Sequence, residues 1–327
     1  MSLNWLAWYR RARLTAGALL LLAGLSGCAS LVPQTMGLRE TWPEGVAVKT
    51  ENTQVPFFPQ QEYQCGPAAL ATVLVNAGTQ ISPDELVKTV YLPGRQGSLQ
   101  VEMLAAPRRY SRVSYQLAPR FDALLREVAA GNPVVVLQDI GIGPVTNWHY
   151  AVVVGFDYPA GELYLRSGET RRLAIPFTIF EYTWKRGNYW AMVVMPPGRI
   201  PVTAGEADYL TAISTMERVG EPGATALAYS AFLERWPGNA AASVGLANRQ
   251  YALGALVEAE VTLRRAAARH PDSVPVLNNL AQVLSDRGRN EEALALIEQA
   301  VRPEGSPYAA AVRETRALIL QRMGRNR

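Results

Sequence analysis

Cys65 and His149 are the residues whose types and settings could carry out nucleophilic chemistry in this chain. Among its 327 residues there are two cysteines and two histidines. Pro67 follows Cys65 closely and suits the first turn of a helix, because its φ is fixed and its missing N–H costs nothing there. His149 opens the apolar run 150–156, which is typical of a strand. A thiol beside an imidazole base predicts covalent catalysis.

A helix is predicted directly after Cys65, because Leu70, Val73, Leu74 and Ala77 repeat with helical spacing. Cys65 would then lie at the helix N-terminus. Unpaired N–H groups and the helix macrodipole favour a thiolate at that position. We therefore expect the pKa of Cys65 to lie below that of a free thiol.

The two stretches resemble a known family. Gln60 to Leu70 reads QQEYQCGPAAL, and His149 begins HYAVVVGF. Together they resemble the papain-like cysteine peptidases that remove double-glycine leaders from bacteriocins. The chain is most similar to stand-alone lipoprotein members with C-terminal tetratricopeptide repeats. The resemblance covers roughly Val55 to Met195 and implies a papain-like α+β fold with helices first and an antiparallel sheet second.

The resemblance also implies catalytic roles. Cys65 would attack a peptide carbonyl, and His149 would accept the thiol proton and later protonate the leaving amine. The family places an oxyanion-binding glutamine a few residues before the cysteine, which favours Gln60 acting with the backbone N–H of Cys65. Gln61 and Gln64 are close enough to be alternatives.

The third catalytic residue is where the chain departs from the family, in which an Asp or Asn normally follows the histidine on the next strand. Matching LYLRSG to that strand places Ser167 at the expected position. Asp157 is the nearest carboxylate, but it lies in the turn after the histidine strand. A Cys-His dyad and a weak peptidase both stay open.

The N-terminus predicts export and lipidation. Residues 1–27 combine arginines with a short apolar core, and Leu-Ser-Gly before Cys28 resembles the lipobox of bacterial lipoproteins. Cys28 would carry the lipid, and Ala29 after it favours the outer membrane. Residues 28–53 are predicted to be a tether. Part of the net charge of +4 belongs to the removed segment, so basicity gives no reason to expect nucleic acid as a partner.

Once Cys28 is lipidated, Cys65 has no cysteine with which to form an intramolecular disulfide. A lone thiol in an oxidising compartment is a liability unless it is used or buried, so a buried structural cysteine is the alternative interpretation. Clusters of metal ligands are absent from the sequence, and neither a metal nor another cofactor is predicted.

The domain organisation follows from composition and periodicity. Residues 54–196 are predicted to form the peptidase domain, with strands in VVVLQD, YAVVVGF, ELYLRS, RRLAIPF and NYWAMVVM. Residues 197–207 would be a linker. Residues 208–327 are predicted to form a tetratricopeptide-repeat domain, because a period of 34 gives two clear units, from Ala240 to Ser273 and from Val274 to about Pro307. A degenerate unit precedes them from Asp208, and residues 308–327 supply a closing helix. These repeats are predicted to bind a protein partner.

Two other functional classes fit the same residues. An acyl transferase would use the same thioester chemistry, and an inactive papain-like module would only bind. The second histidine, His270, lies in an inter-repeat turn and is interpreted as a surface residue. The Gly- and Pro-rich segment 140–146 could form a wall of the cleft or be an ordinary loop, and Trp148 could line a subsite or simply pack.

Overall fold

The computed structural model describes residues 31–60, 64–301 and 307–325. Cys28 and Gln61 therefore lie outside the described residues. No helix in the described ranges is long and apolar enough to cross a membrane. The helices and strands, in chain order, are α1 (Pro33–Glu40), β1 (Lys49–Glu51), α2 (Cys65–Asn76), α3 (Pro83–Val90), α4 (Gln100–Ala105), β2 (Val113–Gln116), α5 (Phe121–Ala129), β3 (Val134–Asp139), β4 (Trp148–Asp157), β5 (Glu162–Ser167), β6 (Thr170–Pro176), α6 (Phe177–Arg186), β7 (Ala191–Met195), α7 (Glu206–Glu217), α8 (Pro222–Arg235), α9 (Ala240–Ala252), α10 (Leu256–Arg269), α11 (Val274–Asp286), α12 (Asn290–Gln299) and α13 (Ala309–Arg325).

These elements form two compact units that do not follow the chain linearly. Of the described residues, the first unit takes in 31–60, 64–76, 82–98 and 116–193; the second takes in 77–81, 99–115, 194–301 and 307–325. Segment 99–115 was assigned to the peptidase domain from sequence. It joins the second unit because the Ser111 hydroxyl accepts the Glu221 N–H at 3.0 Å and the Tyr115 hydroxyl accepts the Gly205 N–H at 3.3 Å.

The first unit is built on an antiparallel sheet with the order β7-β3-β4-β5-β6. Its central strands are buried and rich in valine, because helices cover them: α2 packs on β4 and α6 packs on β3. The five predicted strands are all present. Helices and an antiparallel sheet in one unit confirm the predicted α+β fold class.

A glycine lets strand β1 lie against β4. Strand β1 pairs with the end of β4, where Glu51 lies opposite Gly155. A Cβ at Gly155 would come within 2.6 Å of the Thr50 carbonyl oxygen, so a larger residue would push β1 away. This pairing fixes the chain just before the segment that leads to Cys65.

The segment predicted as a tether is largely structured. Residues 33–40 form α1, whose first turn is held by Glu181: its carboxylate accepts the Gln34 N–H at 2.9 Å and the Thr35 N–H at 2.5 Å. Glu181 and Thr35 are buried. The tether interpretation was wrong for this segment because the contacts that order it come from a helix far along the chain.

Helix α2 begins at Cys65 and ends at Asn76, as its apolar spacing predicts. The next helix, α3, has the predicted capping box, in which the Ser82 hydroxyl accepts the Glu85 N–H and the Glu85 carboxylate accepts the Ser82 N–H. Helix α6 was not predicted. It begins at Phe177, where the last residues of the predicted strand RRLAIPF turn into a helix.

The repeats of the second unit are antiparallel helix pairs, α7–α8, α9–α10 and α11–α12, followed by α13. Small residues occur where the helices touch, as the 34-residue period predicts: Ala247, Ala259 and Ala281 are buried in the core. A Cβ at Gly245 would come within 2.5 Å of the Tyr229 ring, so α8 and α9 approach closely at that point. The second unit is thus a tetratricopeptide-type helical array.

Candidate active site

Cys65 is the first residue of α2 and is half-buried. Burial raises the pKa of its thiol above the ordinary value of 9.0, although hydrogen bonds from the backbone of Tyr150, Gly66 and Cys65 itself act in the opposite direction. The expectation that the helix terminus would hold a thiolate was therefore wrong. The backbone hydrogen bonds favour the thiolate, but the loss of water around the sulfur outweighs them.

His149 is the second residue of β4 and lies next to the residue whose backbone bonds the Cys65 sulfur. Its Nε2 is 2.9 Å from the Ser167 Oγ at the end of β5. Burial lowers the pKa of His149 below its ordinary value of 6.5. A neutral imidazole that donates its Nε2–H to Ser167 has an unprotonated Nδ1, which is the form a general base requires.

The turn that follows Ser167 also contacts Gln60. Gly168, which follows Ser167, has a φ of +58°, and its carbonyl accepts the Gln60 N–H at 3.2 Å. The Gln60 side-chain amide donates to the Tyr150 carbonyl at 3.5 Å, a long and weak hydrogen bond. Gln60 thus lies next to the backbone of Tyr150, which also bonds the Cys65 sulfur. A substrate oxygen could replace the Tyr150 carbonyl as the acceptor of the Gln60 amide.

Gln64 and Asp157 do not join this arrangement in the same way. The Gln64 carbonyl accepts the Ala68 N–H of α2, and no side-chain hydrogen bond of Gln64 is seen within the described residues. Asp157 lies at the opposite end of β4 from His149, roughly 25 Å away at the usual rise of a strand. Its carboxylate pairs with Lys49 at 2.6 Å. Asp157 therefore does not orient the imidazole.

The two pKa shifts point to a neutral resting pair. The raised pKa of Cys65 and the lowered pKa of His149 both disfavour a thiolate-imidazolium ion pair. Ser167 can orient the ring, but a hydroxyl carries no charge that would stabilise an imidazolium. Both groups are therefore favoured in their neutral forms, a thiol and an imidazole.

The segment before His149 is braced by a buried ion pair that sequence analysis missed. Asp139 accepts the N–H groups of Gly141 and Asn147 at 3.0 and 2.8 Å, and it pairs with Arg186 at 2.8 Å. Arg186 also donates to the carbonyls of Gly141 and Gly143. An Asp directly before a glycine-rich segment was the available signal, but its partner on α6 could not be read from the sequence.

Tyr150 is a further residue that sequence reasoning passed over. Its ring packs edge-on against Trp190 with centroids 5.7 Å apart, and its hydroxyl donates to the Ser98 carbonyl at 3.2 Å. These contacts fix the backbone next to His149. The described residues contain no group of three His, Cys, Asp or Glu side chains that could hold a metal ion.

Comparison with protein-family models finds two separate matches along the chain. Residues 52–190 match a Peptidase_C39-like family, and residues 251–314 match a tetratricopeptide-repeat family. The chain carries a C39-like domain and tetratricopeptide repeats. Cys65, His149, Gln60 and Ser167 all lie in the C39-like match, whereas His270 lies in the repeats and contacts the Gly238 carbonyl at 2.6 Å.

Solved structures similar to each part are distant. A C39-like peptidase from Bacillus anthracis is 18% identical, with a TM-score of 0.39, over 45% of this chain and 97% of its own. The peptidase domain of Streptococcus ComA, an ABC transporter, is 18% identical, with a TM-score of 0.37, over 44% and 99%. The TPR2B domain of yeast Sti1 is 15% identical, with a TM-score of 0.33, over 36% and 96%. No curated protein matches the chain.

Proposed function

We propose that this chain is a cysteine peptidase, held at the bacterial cell envelope by a lipid on Cys28, whose repeat unit binds a protein. The observation that carries the peptidase proposal is the convergence of three chain segments: the Cys65 sulfur at the backbone of Tyr150, the imidazole of His149 one residue earlier, and the Ser167 hydroxyl 2.9 Å from that imidazole.

In the proposed reaction the thiol of Cys65 attacks a peptide carbonyl while His149 Nδ1 takes the sulfur proton. A thioester forms, and the imidazolium returns the proton to the departing amine. Gln60 and the Cys65 N–H would hold the oxyanion, and amides suit this task because they donate without titrating. Water then hydrolyses the thioester with His149 as the base. Ser167 would hold the orientation of the ring by accepting its Nε2–H.

A peptide library incubated with the mature chain tests this proposal. We expect cleavage products by mass spectrometry, and a covalent adduct on Cys65 with a peptide aldehyde. Addition of an amine acceptor separates hydrolysis from acyl transfer, because a transferase would yield the amide of the acceptor. Cleavage that persists in Cys65→Ala would assign the activity to another site or to a contaminant.

A second candidate function is a C39-like module that binds peptides without cleaving them. Two observations favour it: a serine occupies the position of the family's acid or amide, and burial keeps the Cys65 thiol protonated. Peptide binding that is measurable by calorimetry, with no cleavage and no aldehyde adduct at any pH up to 9, would support this candidate over the peptidase.

The repeat unit is proposed to select the partner. Stacked helix pairs present extended surfaces that bind peptides or proteins. The lipid on Cys28 would place both activities at the periplasmic face of the outer membrane. Radiolabelled fatty acid should appear on the wild-type chain and be lost in Cys28→Ala.

A further inference from the structure

The His149 loop, residues 140–147, exposes apolar side chains beside the candidate active site. Ile142 is 88% exposed and Val145 is 69% exposed; Trp148, which follows the loop, is 50% exposed. Among the tryptophans of the described ranges, Trp148 alone is exposed. Three large apolar side chains exposed within seven consecutive residues are a candidate interaction surface.

The loop cannot fold these side chains inward, because its backbone is fixed. Asp139 accepts hydrogen bonds from N–H groups of the loop, and Arg186 donates to its carbonyls. A Cβ at Gly141 would collide with the Val145 carbonyl oxygen. Gly143 supplies a φ of +61° near the apex. The loop is thus a braced projection that holds Ile142 in solvent.

The apolar surface continues along α6 toward α1. Ile179 and Tyr182 are 53% and 45% exposed and lie three residues apart on one helix face. Arg186, four residues after Tyr182, is the residue that bonds the loop. Glu181, on the other side of the same helix turn, holds the first turn of α1. Helix α6 therefore connects the loop to the N-terminal helix.

The predicted lipidation site lies close to this surface along the chain. Cys28 precedes Pro33, where α1 begins, by five residues, which span at most about 18 Å. Along α6, the step from Glu181 to Arg186 is only about 7.5 Å. Because α1 is docked rather than free, a lipid on Cys28 would keep α6 and the His149 loop next to the bilayer surface.

We propose that the His149 loop and the exposed face of α6 lie in the interface of a lipid bilayer. Tryptophan, tyrosine and isoleucine side chains suit this position, since the aromatic rings prefer the headgroup level and the aliphatic groups prefer the region below it. The active site would then open at the membrane surface and take peptide segments that lie against the bilayer. The substrate class rests on the proposed peptidase, and the position of the bilayer rests on the proposed lipid.

Trp148 is a native reporter for this proposal. The mature lipidated protein is placed on phosphatidylethanolamine and phosphatidylglycerol vesicles that contain lipids with a nitroxide at the headgroup. We expect the nitroxide lipids to quench tryptophan fluorescence, and Trp148→Phe to remove most of the quenched component. The double variant Ile142→Asp, Val145→Asp should reduce the quenching at least about twofold, because carboxylates resist entry into the interface.

Val48→Asp is the matched control, since Val48 is a 53% exposed valine of the same unit outside this surface. The nitroxide lipids should quench the tryptophan fluorescence of this variant as much as that of the wild type. The proposal is overturned if Trp148 fluorescence is not quenched, or if the fluorescence of the double variant is quenched as much as that of the wild type. A double variant that leaves quenching intact but raises KM for a soluble peptide assigns the loop to peptide binding instead. If the double variant does not fold, Trp148→Phe alone decides.

The two proposals fail independently. Quenching of Trp148 without any peptide cleavage refutes the peptidase and leaves the membrane surface in place. Cleavage without quenching refutes the membrane surface and leaves the peptidase. The fatty acid on Cys28 is measured separately on the same preparation, so loss of the anchor is recognised as such.

Discussion

Glu260 in the repeats is buried, and Cys65 and His149 in the C39-like domain are half-buried; these ionisable groups have opposite surroundings. Burial alone would raise the pKa of Glu260, but Arg264, Arg287 and Arg289 surround the carboxylate and lower its pKa instead. At the candidate active site the partners are a hydroxyl and backbone N–H groups, and burial prevails.

The difference shows what a buried charge needs in this protein. Glu260 stays ionised because three guanidinium groups compensate for the water that it has lost. The Cys65–His149 pair has no such compensation, so the neutral thiol and imidazole are favoured there. If that comparison holds, adding a carboxylate at the site should change its pH dependence, and removing the carboxylate from the repeats should change their stability.

The largest expected effect is on turnover. His149→Ala should lower peptide cleavage about a thousandfold, because the neutral thiol loses the base that takes its proton. The rate of release from a fluorogenic peptide measures this effect. The matched control is His270→Ala, which removes the exposed histidine of the repeats and should leave turnover within about twofold. A His149→Ala variant that keeps a tenth of the activity would show that the imidazole is not the base.

The next effect is on the stability of the repeats. Glu260→Gln keeps the shape of the side chain but leaves three arginines without their shared carboxylate, which should cost about 2 kcal/mol after allowance for the partial exposure of the guanidinium groups. Urea unfolding followed by circular dichroism measures it. Glu258→Gln, at an exposed position in the same helix, should cost only a few tenths of a kcal/mol. Equal losses would mean that the arginine cluster contributes nothing specific.

A smaller effect is expected from building a charge into the site. Ser167→Asp places a carboxylate against His149 Nε2 and should raise the pKa of the imidazole, so that Cys65 reacts with iodoacetamide about one pH unit lower than in the wild type. The wild-type midpoint should lie above 9.0, since burial raises the thiol pKa. Asp157→Ala, at the far end of β4, should shift neither the midpoint nor turnover. A wild-type midpoint well below the pKa of a free thiol would show instead that Cys65 and His149 form a thiolate-imidazolium ion pair.

The smallest effect is a pH dependence. The pKa of Glu260 is lowered on folding, so its stabilising contribution is complete above the unfolded value of 4.5 and is lost as the pH falls through the folded value. The difference in unfolding free energy between the wild type and Glu260→Gln should therefore shrink in acid, by at most the value measured at neutral pH. A difference that stays constant from pH 7 to pH 3 would contradict a role for the ionised carboxylate.

Local patterns in the sequence predicted most of the elements correctly. The apolar spacing after Cys65 gave α2, the capping residues gave α3, and runs rich in valine gave the buried strands, because each of these signals depends on residues close together in the chain. The period of 34 gave the helix pairs of the repeats for the same reason. Ser167 was placed beside His149 by matching a strand to the family.

What the sequence could not provide depends on distant contacts. Helix α1 is ordered by Glu181, and segment 99–115 joins the second unit through Ser111 and Tyr115. The pKa of Cys65 is set by how much water the finished fold removes, whereas the helix N-terminus was readable in advance. The Asp139–Arg186 clamp likewise needs a helix that the sequence did not predict.

The contacts of the repeats join helices that are neighbours in the chain, whereas the candidate site joins residues 60, 65, 149 and 167. Structures with local contacts form quickly, and those that close long loops form slowly. We therefore expect the helices of the repeats to be folded while Cys65 and His149 are still apart. A full-length chain refolding from denaturant would therefore form the helix pairs of its repeats before its candidate site, and protection of the Cys65 thiol would report the completion of the sheet.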